Sequence, residues 1–159
     1  MLELKIKRLS ETATIPTKAH PTDACFDLYA DIGYIAAKYV DGLRKVPDSI
    51  IIRPHETVKI HTGIATNIPH GYWGAIFARS GLATKQGLRP AQGVPVIDEP
   101  YTGEWLIPLH NDTYEDKIVH HGDRIAQFML LPWYETAITE IDELEATDRG
   151  AGGFGSSGV

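Results

Sequence analysis

Hydrophobic and polar residues alternate over short stretches along most of the chain. Leu2, Leu4 and Ile6 are each followed by a charged residue, which is typical of a β-strand that buries one face. Gly63 and the segment 69–71 supply turn residues between similar runs. The further strands that this pattern predicts are 49–53, 57–62, 64–68, 72–77, 104–110, 116–120, 124–131 and 135–141.

No stretch of the chain keeps a helical period of 3.6 residues for long. The best helix candidate runs from Ser80 to about Gln86, with Ser80 as its N-cap and Gly87 as its stop. Many short strands and almost no helix predict an all-β fold, either a sandwich, a jelly roll or a barrel. The run 125–131 (IAQFMLL) is almost continuously apolar, so we expect the core and a neighbouring subunit to cover its two faces.

The length of 159 residues suits one domain. A single cysteine, Cys25, excludes an intramolecular disulfide and any multi-cysteine zinc site. No apolar window is long enough to span a membrane, and the N-terminus has no signal-peptide core. We therefore expect a soluble, cytoplasmic protein that does not bind membranes.

The net charge of −6 is concentrated in one segment. Six of the 21 acidic residues lie within 135–148, which has no basic residue, and the rest of the chain is neutral. Proteins that bind polymeric nucleic acid usually carry a basic stripe, which is missing here. A nucleic-acid polymer is therefore excluded as an expected partner, whereas a small anion held by a few groups remains open.

Two local patterns offer groups for anion chemistry. Arg79-Ser80-Gly81 combines a guanidinium, a hydroxyl and the start of a helical turn, which suits a phosphate, although taken alone an ordinary capped turn is the commoner arrangement. Gln127 is an unusual residue for a buried strand, and it either bonds within the core or faces a ligand.

Two further patterns suit a sugar, a base or a phosphate. In the segment 96–104 (VIDEPYTGE), a predicted β-hairpin, Asp98 could activate water and Tyr101 could stack on a sugar or base; alternatively, Asp98 bonds its own backbone. The glycine-rich tail from Arg149, with a lone Phe154, suits a lid over a nucleotide, although composition also fits a disordered terminus. The seven histidines are interpreted as surface or structural residues.

Five motifs in this order resemble those of the homotrimeric all-β dUTP diphosphatases (dUTPases). They are ACFDLYA at 24–30, ARSGLA at 78–83, VIDEPYTGE at 96–104, GDRIAQ at 122–127 and RGAGGFGSSG at 149–158. The resemblance implies a distorted jelly-roll or β-barrel of short strands with one short helix, assembled as a homotrimer. It also implies a domain at 1–147 and a tail at 148–159 that closes over the active site.

The resemblance further implies an activity and the residues that support it. The reaction is the Mg²⁺-dependent hydrolysis of dUTP to dUMP and diphosphate, which limits uracil incorporation into DNA and supplies dUMP for dTMP synthesis. Asp98 would be the general base, Tyr101 would pack beneath the deoxyribose, and Asp27 would meet the metal through water. The substrate-binding set would be Arg79, Ser80, Gly81, Gln92, Val96, Tyr101, Gln127, Arg149, Phe154, Gly155 and Ser156.

Several positions depart from the family pattern. Cys25 stands where the family usually has Gly, so the backbone there must do without a positive φ. Pro95 also replaces a common Gly and removes an N–H from the segment expected to read uracil, where Gln92 is expected to compensate. Pro100 replaces a frequent Asp, and the segment 31–48 is longer than usual.

Two other functions compete with this one. The related dCTP deaminases lack the Asp-x-x-Tyr segment combined with a Phe-bearing glycine-rich tail, so the sequence disfavours them. The other rival is a nucleotide-sensing protein that keeps the fold and signals through a partner by way of the segment 31–48. A turnover measurement separates a sensor from an enzyme.

Overall fold

The computed structural model describes residues 2–33 and 48–153. Among the elements whose bounds lie within these residues, ten strands and one short helix position the candidate site. They are β1 (Lys5–Arg8), β2 (Phe26–Tyr29), β3 (Ser49–Ile52), β4 (Thr57–Asn67), β5 (Tyr72–Phe77), α1 (Ser80–Gln86), β6 (Leu88–Pro90), β7 (Val96–Ile97), β8 (Glu104–Asn111), β9 (Lys117–His120) and β10 (Arg124–Pro132).

The strands form two four-stranded sheets and one pair. The sheet orders are β1-β4-β8-β6 and β2-β10-β5-β7, with β3-β9 beside them, and every pairing is antiparallel. The expected all-β fold of short strands is therefore confirmed. No helix in the described part of the chain is long and apolar enough to cross a membrane.

The core lies between the two four-stranded sheets. Trp105 of β8 and Phe128 of β10 are fully buried and meet edge to face, with ring centroids 4.8 Å apart. Residues on β8 alternate strictly between buried and half-buried, as the period-2 pattern predicted. Each large side chain buried in this way stabilises the fold by about 1.5–3 kcal/mol, so the two sheets are held face to face by their apolar sides.

Gly63 does not form the predicted turn between two strands. Residues 57–67 form one strand, β4, and its register against β8 shifts between His61 and Ala65. Gly63 lies inside this bulge with φ +64°, and a Cβ there would collide with Asp31. The glycine is therefore needed for a bulge within a strand. A glycine between two apolar runs is also typical of a turn, so the sequence alone does not distinguish the two.

Other predicted elements also differ from the structure. The first strand begins only at Lys5, and no strand forms at 135–141, where Ile138 is 96% exposed and has no neighbouring strand. The segment 98–103 is not a β-hairpin, because β7 pairs with β5 whereas β8 pairs with β4 and β6. It is instead a crossing between the two sheets.

Helix α1 has the predicted bounds but not the predicted cap. The N-cap residue is Arg79, which makes no side-chain capping bond, and Ser80 is the first helical residue. Gly87 ends the helix in the left-handed conformation, with φ 66°, as predicted. Most of the segment 31–48, from residue 34 to 47, lies outside the described residues.

Candidate active site

The register of three strands brings the first group of predicted residues together. Gln127 of β10 lies between Asp27 of β2 and Phe77 of β5, and Arg79 follows Phe77 by two residues. A cavity of about 620 Å³, here called the anion cavity, opens over this row. Its walls are Ala19, Asp23, Ala24, Cys25, Asp27, Arg79, Ser80, Gly81, Leu82, Lys85, Gln86 and Gln127.

Asp27 holds Arg79 at the edge of the anion cavity. The buried Asp27 carboxylate accepts from Arg79 Nε at 2.7 Å and from Arg124 Nη1 at 3.2 Å, and Arg79 Nη1 also donates to the Arg124 carbonyl oxygen. Arg79 therefore uses only two of its five N–H donors within the described residues. The remaining donors suit an anion in the cavity, and the two guanidinium groups compensate the buried carboxylate.

Ser80, Gly81 and Gln127 also line the anion cavity. A Cβ placed on Gly81 would meet no atom within 4 Å, so a ligand can approach the backbone there. Gln127 donates through Nε2 to the Ala78 carbonyl oxygen at 2.9 Å and still lines the cavity. The two interpretations of Gln127 are therefore compatible. One N–H of its amide is bonded to the backbone of Ala78, and the side chain still borders the anion cavity.

Cys25 also borders the anion cavity. Burial raises the pKa of its thiol above 9.0, and the nearby Lys18 ammonium only partly opposes this shift. The thiol is therefore neutral near pH 7 and is a weak nucleophile there. Its φ is not positive, since His55 is the one non-glycine residue of the described chain with a positive φ.

The second group of predicted residues borders a separate cavity of about 450 Å³, here called the acid–tyrosine cavity. It is lined by Gln92, Val94, Pro95, Val96, Ile97, Asp98, Tyr101, Glu104 and Leu106. Asp98 is exposed, and its carboxylate makes no hydrogen bond within the described residues. The alternative in which this carboxylate bonds its own backbone is therefore not adopted, and the group is open to a water molecule.

The Tyr101 ring is fixed against the end of the segment 98–103. Its hydroxyl donates to the Glu104 carbonyl oxygen at 2.9 Å, and the Tyr101 N–H donates to the Asp98 carbonyl oxygen at 3.0 Å. Gly103 lies so close to the ring that a Cβ there would come within 2.6 Å of Cζ. The ring consequently has a defined face beside Asp98 on which a sugar can pack.

The start of the same segment is fixed by Glu99. Its carboxylate accepts from His70 Nδ1 at 2.9 Å, from the Gly71 N–H at 2.9 Å and from Trp133 Nε1 at 3.2 Å. The His70 bond is the main reason that the pKa of Glu99 lies below 4.5. The sequence did not reveal this role of Glu99, nor the pairing of Arg124 with Asp27, because both depend on partners distant in the chain.

Asp98 and Arg79 lie toward opposite ends of β5. Ile97 pairs with Gly74, so Asp98 comes beside Trp73, and these two residues border one hollow of about 520 Å³. Arg79 lies six residues further along than Trp73, beyond the other end of the strand. At about 3.3 Å per residue, this places Asp98 and Arg79 about 20 Å apart. A single chain therefore does not bring the predicted set together.

The C-terminal arm lies away from the body of the chain. Residues 134–151 are all exposed, and beyond Trp133 the hydrogen bonds of the described arm are internal. Arg149 donates through Nε to the Gly152 carbonyl oxygen and reaches neither cavity. The predicted residues Phe154, Gly155 and Ser156 lie outside the described residues.

The acidic groups near the anion cavity fit an outer role toward a divalent cation. No cluster of three or more metal-ligating side chains occurs in residues 2–33 and 48–153. The Asp27 carboxylate offers about four lone-pair sites, of which the two arginines use two. This donor set suits contact with the water ligands of a Mg²⁺ ion that is coordinated by substrate phosphates. Mg²⁺ commonly binds in this way, because it keeps several of its water ligands.

The fold and the two cavities define an all-β protein in which one cavity is suited to an anion. The family model described as dUTPase matches residues 11–158. The deoxyuridine 5'-triphosphate nucleotidohydrolase of Desulfitobacterium hafniense (strain DSM 10664 / DCB-2) is 40% identical over 164 aligned residues, which cover 100% of this chain and 99% of the relative. This chain therefore belongs to the dUTPase family.

A second relative and a solved structure also match the dUTPase family. The nucleotidohydrolase of the same name from Saccharomyces cerevisiae is 37% identical over 156 residues, covering 98% of this chain and 94% of the relative. The solved structure of the Staphylococcus bacteriophage 80alpha dUTPase with dUpNHpp superposes with a TM-score of 0.77 at 28% identity, and the match covers 99% of each chain. The resemblance inferred from the five motifs is thus confirmed over the whole chain.

Proposed function

We propose that this dUTPase-family protein converts dUTP and water to dUMP and diphosphate at sites shared between the subunits of a homotrimer. One subunit contributes the anion cavity with Arg79, and a second contributes the acid–tyrosine cavity with Asp98. The reaction removes dUTP before uracil enters DNA and supplies dUMP for dTMP synthesis.

The distance between Asp98 and Arg79 is the observation that carries this proposal. The base that activates water must lie within hydrogen-bond reach of that water, and the groups that hold the phosphates must touch the same triphosphate. Asp98 and Arg79 are about 20 Å apart on one chain, as judged from the six residues of β5 and its extension that separate them. A second copy of the chain supplies the missing half of each site without any rearrangement of the sheets, and closed symmetry repeats the same contact around the assembly.

The anion cavity is proposed to hold the phosphate chain. Arg79 offers its unused donors, Ser80 its hydroxyl, Gly81 its accessible backbone and Gln127 the edge of its amide. When bound to the triphosphate, Mg²⁺ neutralises phosphate charge, and Asp27 is proposed to accept hydrogen bonds from its water ligands. Phosphoryl transfer requires charge neutralisation and alignment more than covalent work by the protein, and this cavity is suited to both.

The acid–tyrosine cavity is proposed to hold the nucleoside and the attacking water. Asp98 accepts a proton as the water attacks the α-phosphorus, and diphosphate leaves on the opposite side. Tyr101 packs beneath the deoxyribose, while Gln92 and Val96 border the base. Pro95 cannot donate a hydrogen bond to uracil, but its carbonyl oxygen accepts from the Ile76 N–H and so fixes the base-side wall.

The tail is proposed to close over the bound nucleotide. Arg149 would reach the γ-phosphate, Phe154 would stack on uracil, and Gly155 and Ser156 would offer backbone N–H groups. The exposed arm beyond Trp133 supports this proposal, because its described part, residues 134–153, forms no hydrogen bond with the sheets of its own subunit.

The sugar contact gives the experiment that tests this function. The parent protein is expected to hydrolyse dUTP far faster than UTP, and chelation of Mg²⁺ is expected to stop turnover. Tyr101→Ala is expected to lower the dUTP-to-UTP ratio of kcat/KM by about 10-fold or more. The reason is that a poorly accommodated group, here the 2′-hydroxyl of UTP, changes the transition-state binding free energy in a packed pocket by about 1–3 kcal/mol. Diphosphate release measures both rates.

Tyr101→Phe is the matched control, since it keeps the ring and removes only the hydrogen bond to the Glu104 carbonyl oxygen. Its selectivity is expected to stay close to that of the parent. Equal turnover of UTP and dUTP by the parent protein would contradict the role given to Tyr101. Binding of dUTP without turnover would favour a nucleotide sensor instead.

A further inference from the structure

The segment 98–103 carries both Asp98 and Tyr101 but belongs to neither sheet, so it needs side-chain anchors. At its end, Glu104 accepts from His61 Nδ1 at 2.9 Å and from the Gly63 N–H at 3.0 Å. This anchor is buried in the β4 bulge and holds the Tyr101 side of the segment. The other end of the segment, which carries Asp98, is held by a different side chain.

That group is Glu99, the residue directly after Asp98. Its two carboxylate oxygens accept three hydrogen bonds, from the His70 ring, the Gly71 backbone and the Trp133 indole. These donors come from the turn before β5 and from the residue after β10. Glu99 therefore ties the start of the segment to two neighbouring strands of one sheet, beside the exposed Asp98 carboxylate.

Glu99 accepts these bonds as an ionised carboxylate near neutral pH, because its pKa lies below its usual value. An ionised carboxylate only accepts hydrogen bonds, so His70 must carry its proton on Nδ1 toward Glu99. The His70 and Gly71 bonds lower the pKa of Glu99, and the group stays charged at neutral pH. The anchor is consequently intact near neutral pH.

Trp133 extends this anchor to the C-terminal arm. Its indole N–H bonds Glu99, its backbone N–H donates to the Gly71 carbonyl oxygen at 2.9 Å, and its ring meets His70 edge to face. The arm that leads to Arg149 thus begins at the group that holds the Asp98 segment.

We infer that Glu99 is a positioning residue, which holds Asp98 in place for hydrolysis by bonding Gly71, His70 and Trp133. This inference rests on the proposed role of Asp98 as the base. Glu99 does not touch substrate; it acts through the backbone it shares with Asp98. A displacement of about 1 Å at a reacting group can reduce turnover about 100-fold, so loss of this anchor affects the chemical step more than substrate binding.

The test compares three substitutions by steady-state kinetics on dUTP. Glu99→Ala removes all three acceptor contacts, and it is expected to lower kcat by about 10- to 100-fold while KM changes by less than about threefold. Glu99→Gln keeps an oxygen for Gly71 and Trp133 and offers its NH₂ to a neutral His70, so kcat is expected to recover to within about fivefold of the parent. Trp133→Phe removes one donor, and an intermediate loss of about 3- to 10-fold is expected.

Glu115→Ala is the matched control, because Glu115 is an exposed glutamate whose carboxylate contacts only Lys117 at 3.4 Å. Its kcat and KM are expected to equal those of the parent. If Glu99→Ala does not fold, the kinetics of Trp133→Phe and His70→Ala test the inference instead, since each removes one hydrogen bond to Glu99 and leaves its carboxylate. Unchanged kcat in the folded variants would overturn the inference.

A second measurement separates positioning from a general loss of stability. The Trp133 indole N–H resonance, assigned by its absence in Trp133→Phe, is expected to shift as the pH falls through the lowered pKa of Glu99, and to lose this shift in Glu99→Gln. Asp98, Glu99 and His70 are the titratable groups of this cluster, so Asp98→Asn and His70→Ala serve as references. An identical shift in parent and Glu99→Gln would contradict the anchor. Full turnover by Asp98→Asn would instead contradict the proposed role of Asp98 as the base, but it would not contradict the hydrogen bonds of Glu99.

Discussion

Replacement of Asp98 by asparagine is expected to lower kcat for dUTP by about 10²- to 10⁴-fold, which is the usual contribution of a general base. Asparagine has nearly the same shape, but its amide cannot accept the proton that the attacking water gives up. The Asp98 carboxylate is exposed and makes no hydrogen bond within the described residues, so folding should not depend on it. Diphosphate release under single-turnover conditions measures the chemical step directly.

Asp116→Asn is the control for this substitution, because Asp116 is also exposed and lies outside both cavities. It should keep the activity of the parent. The affinity of Asp98→Asn for dUpNHpp is expected to stay within a few-fold of the parent value. Turnover by Asp98→Asn above about one tenth of the parent rate would require another base.

Deletion of residues 149–159 is expected to leave a folded oligomer with at least about 10³-fold lower kcat/KM. Arg149 is proposed to hold the γ-phosphate, which departs as part of the diphosphate, and the loss of one charge-stabilising donor from an active site typically costs about 10²- to 10³-fold in rate. Closure of the tail would also exclude water and so strengthen the charge interactions that remain in the site. The core should not change, because within the described residues Arg149 forms hydrogen bonds only with the neighbouring tail residue Gly152.

Limited trypsin digestion tests the same closure without any mutation. Arg149 is exposed, and it is the one Lys or Arg in residues 133–159, so cleavage there gives a single product. Cleavage is expected to be fast in the free protein and slow with dUpNHpp and Mg²⁺. Equal rates of cleavage, or full activity after deletion, would exclude a lid.

The sequence predicted the strands well wherever one face is buried and the period is 2. The strand Glu104–Asn111 is the clearest case, since its buried and half-buried residues alternate throughout. The same pattern at 135–141 was misleading, because alternation indicates a strand only if a partner strand and an apolar surface are available. Gly63 was misleading for a related reason: a bulge and a turn both select a glycine with positive φ.

The residues of the candidate site were predictable in part, but their arrangement was not. Motif order identified Asp27, Arg79, Asp98 and Gln127 as candidates, and the register brings three of these together around one cavity. The distance from Asp98 to Arg79 depends on the pairing of β7 with β5, which local patterns do not reveal. The Glu99 anchor was missed because its donors come from residues 28 to 34 positions away along the chain.

The central claim is that each site draws Asp98 and Arg79 from different chains, and subunit mixing tests it most directly. Asp98→Asn and Arg79→Ala chains, each expected to be inactive alone, are co-expressed with different tags, and the mixed trimers are purified through both tags. If sites are shared, one of the three interfaces in every mixed trimer pairs an intact Asp98 with an intact Arg79, and about one third of the parent activity per trimer should return. Mixed trimers no more active than the two inactive variants would contradict a shared site.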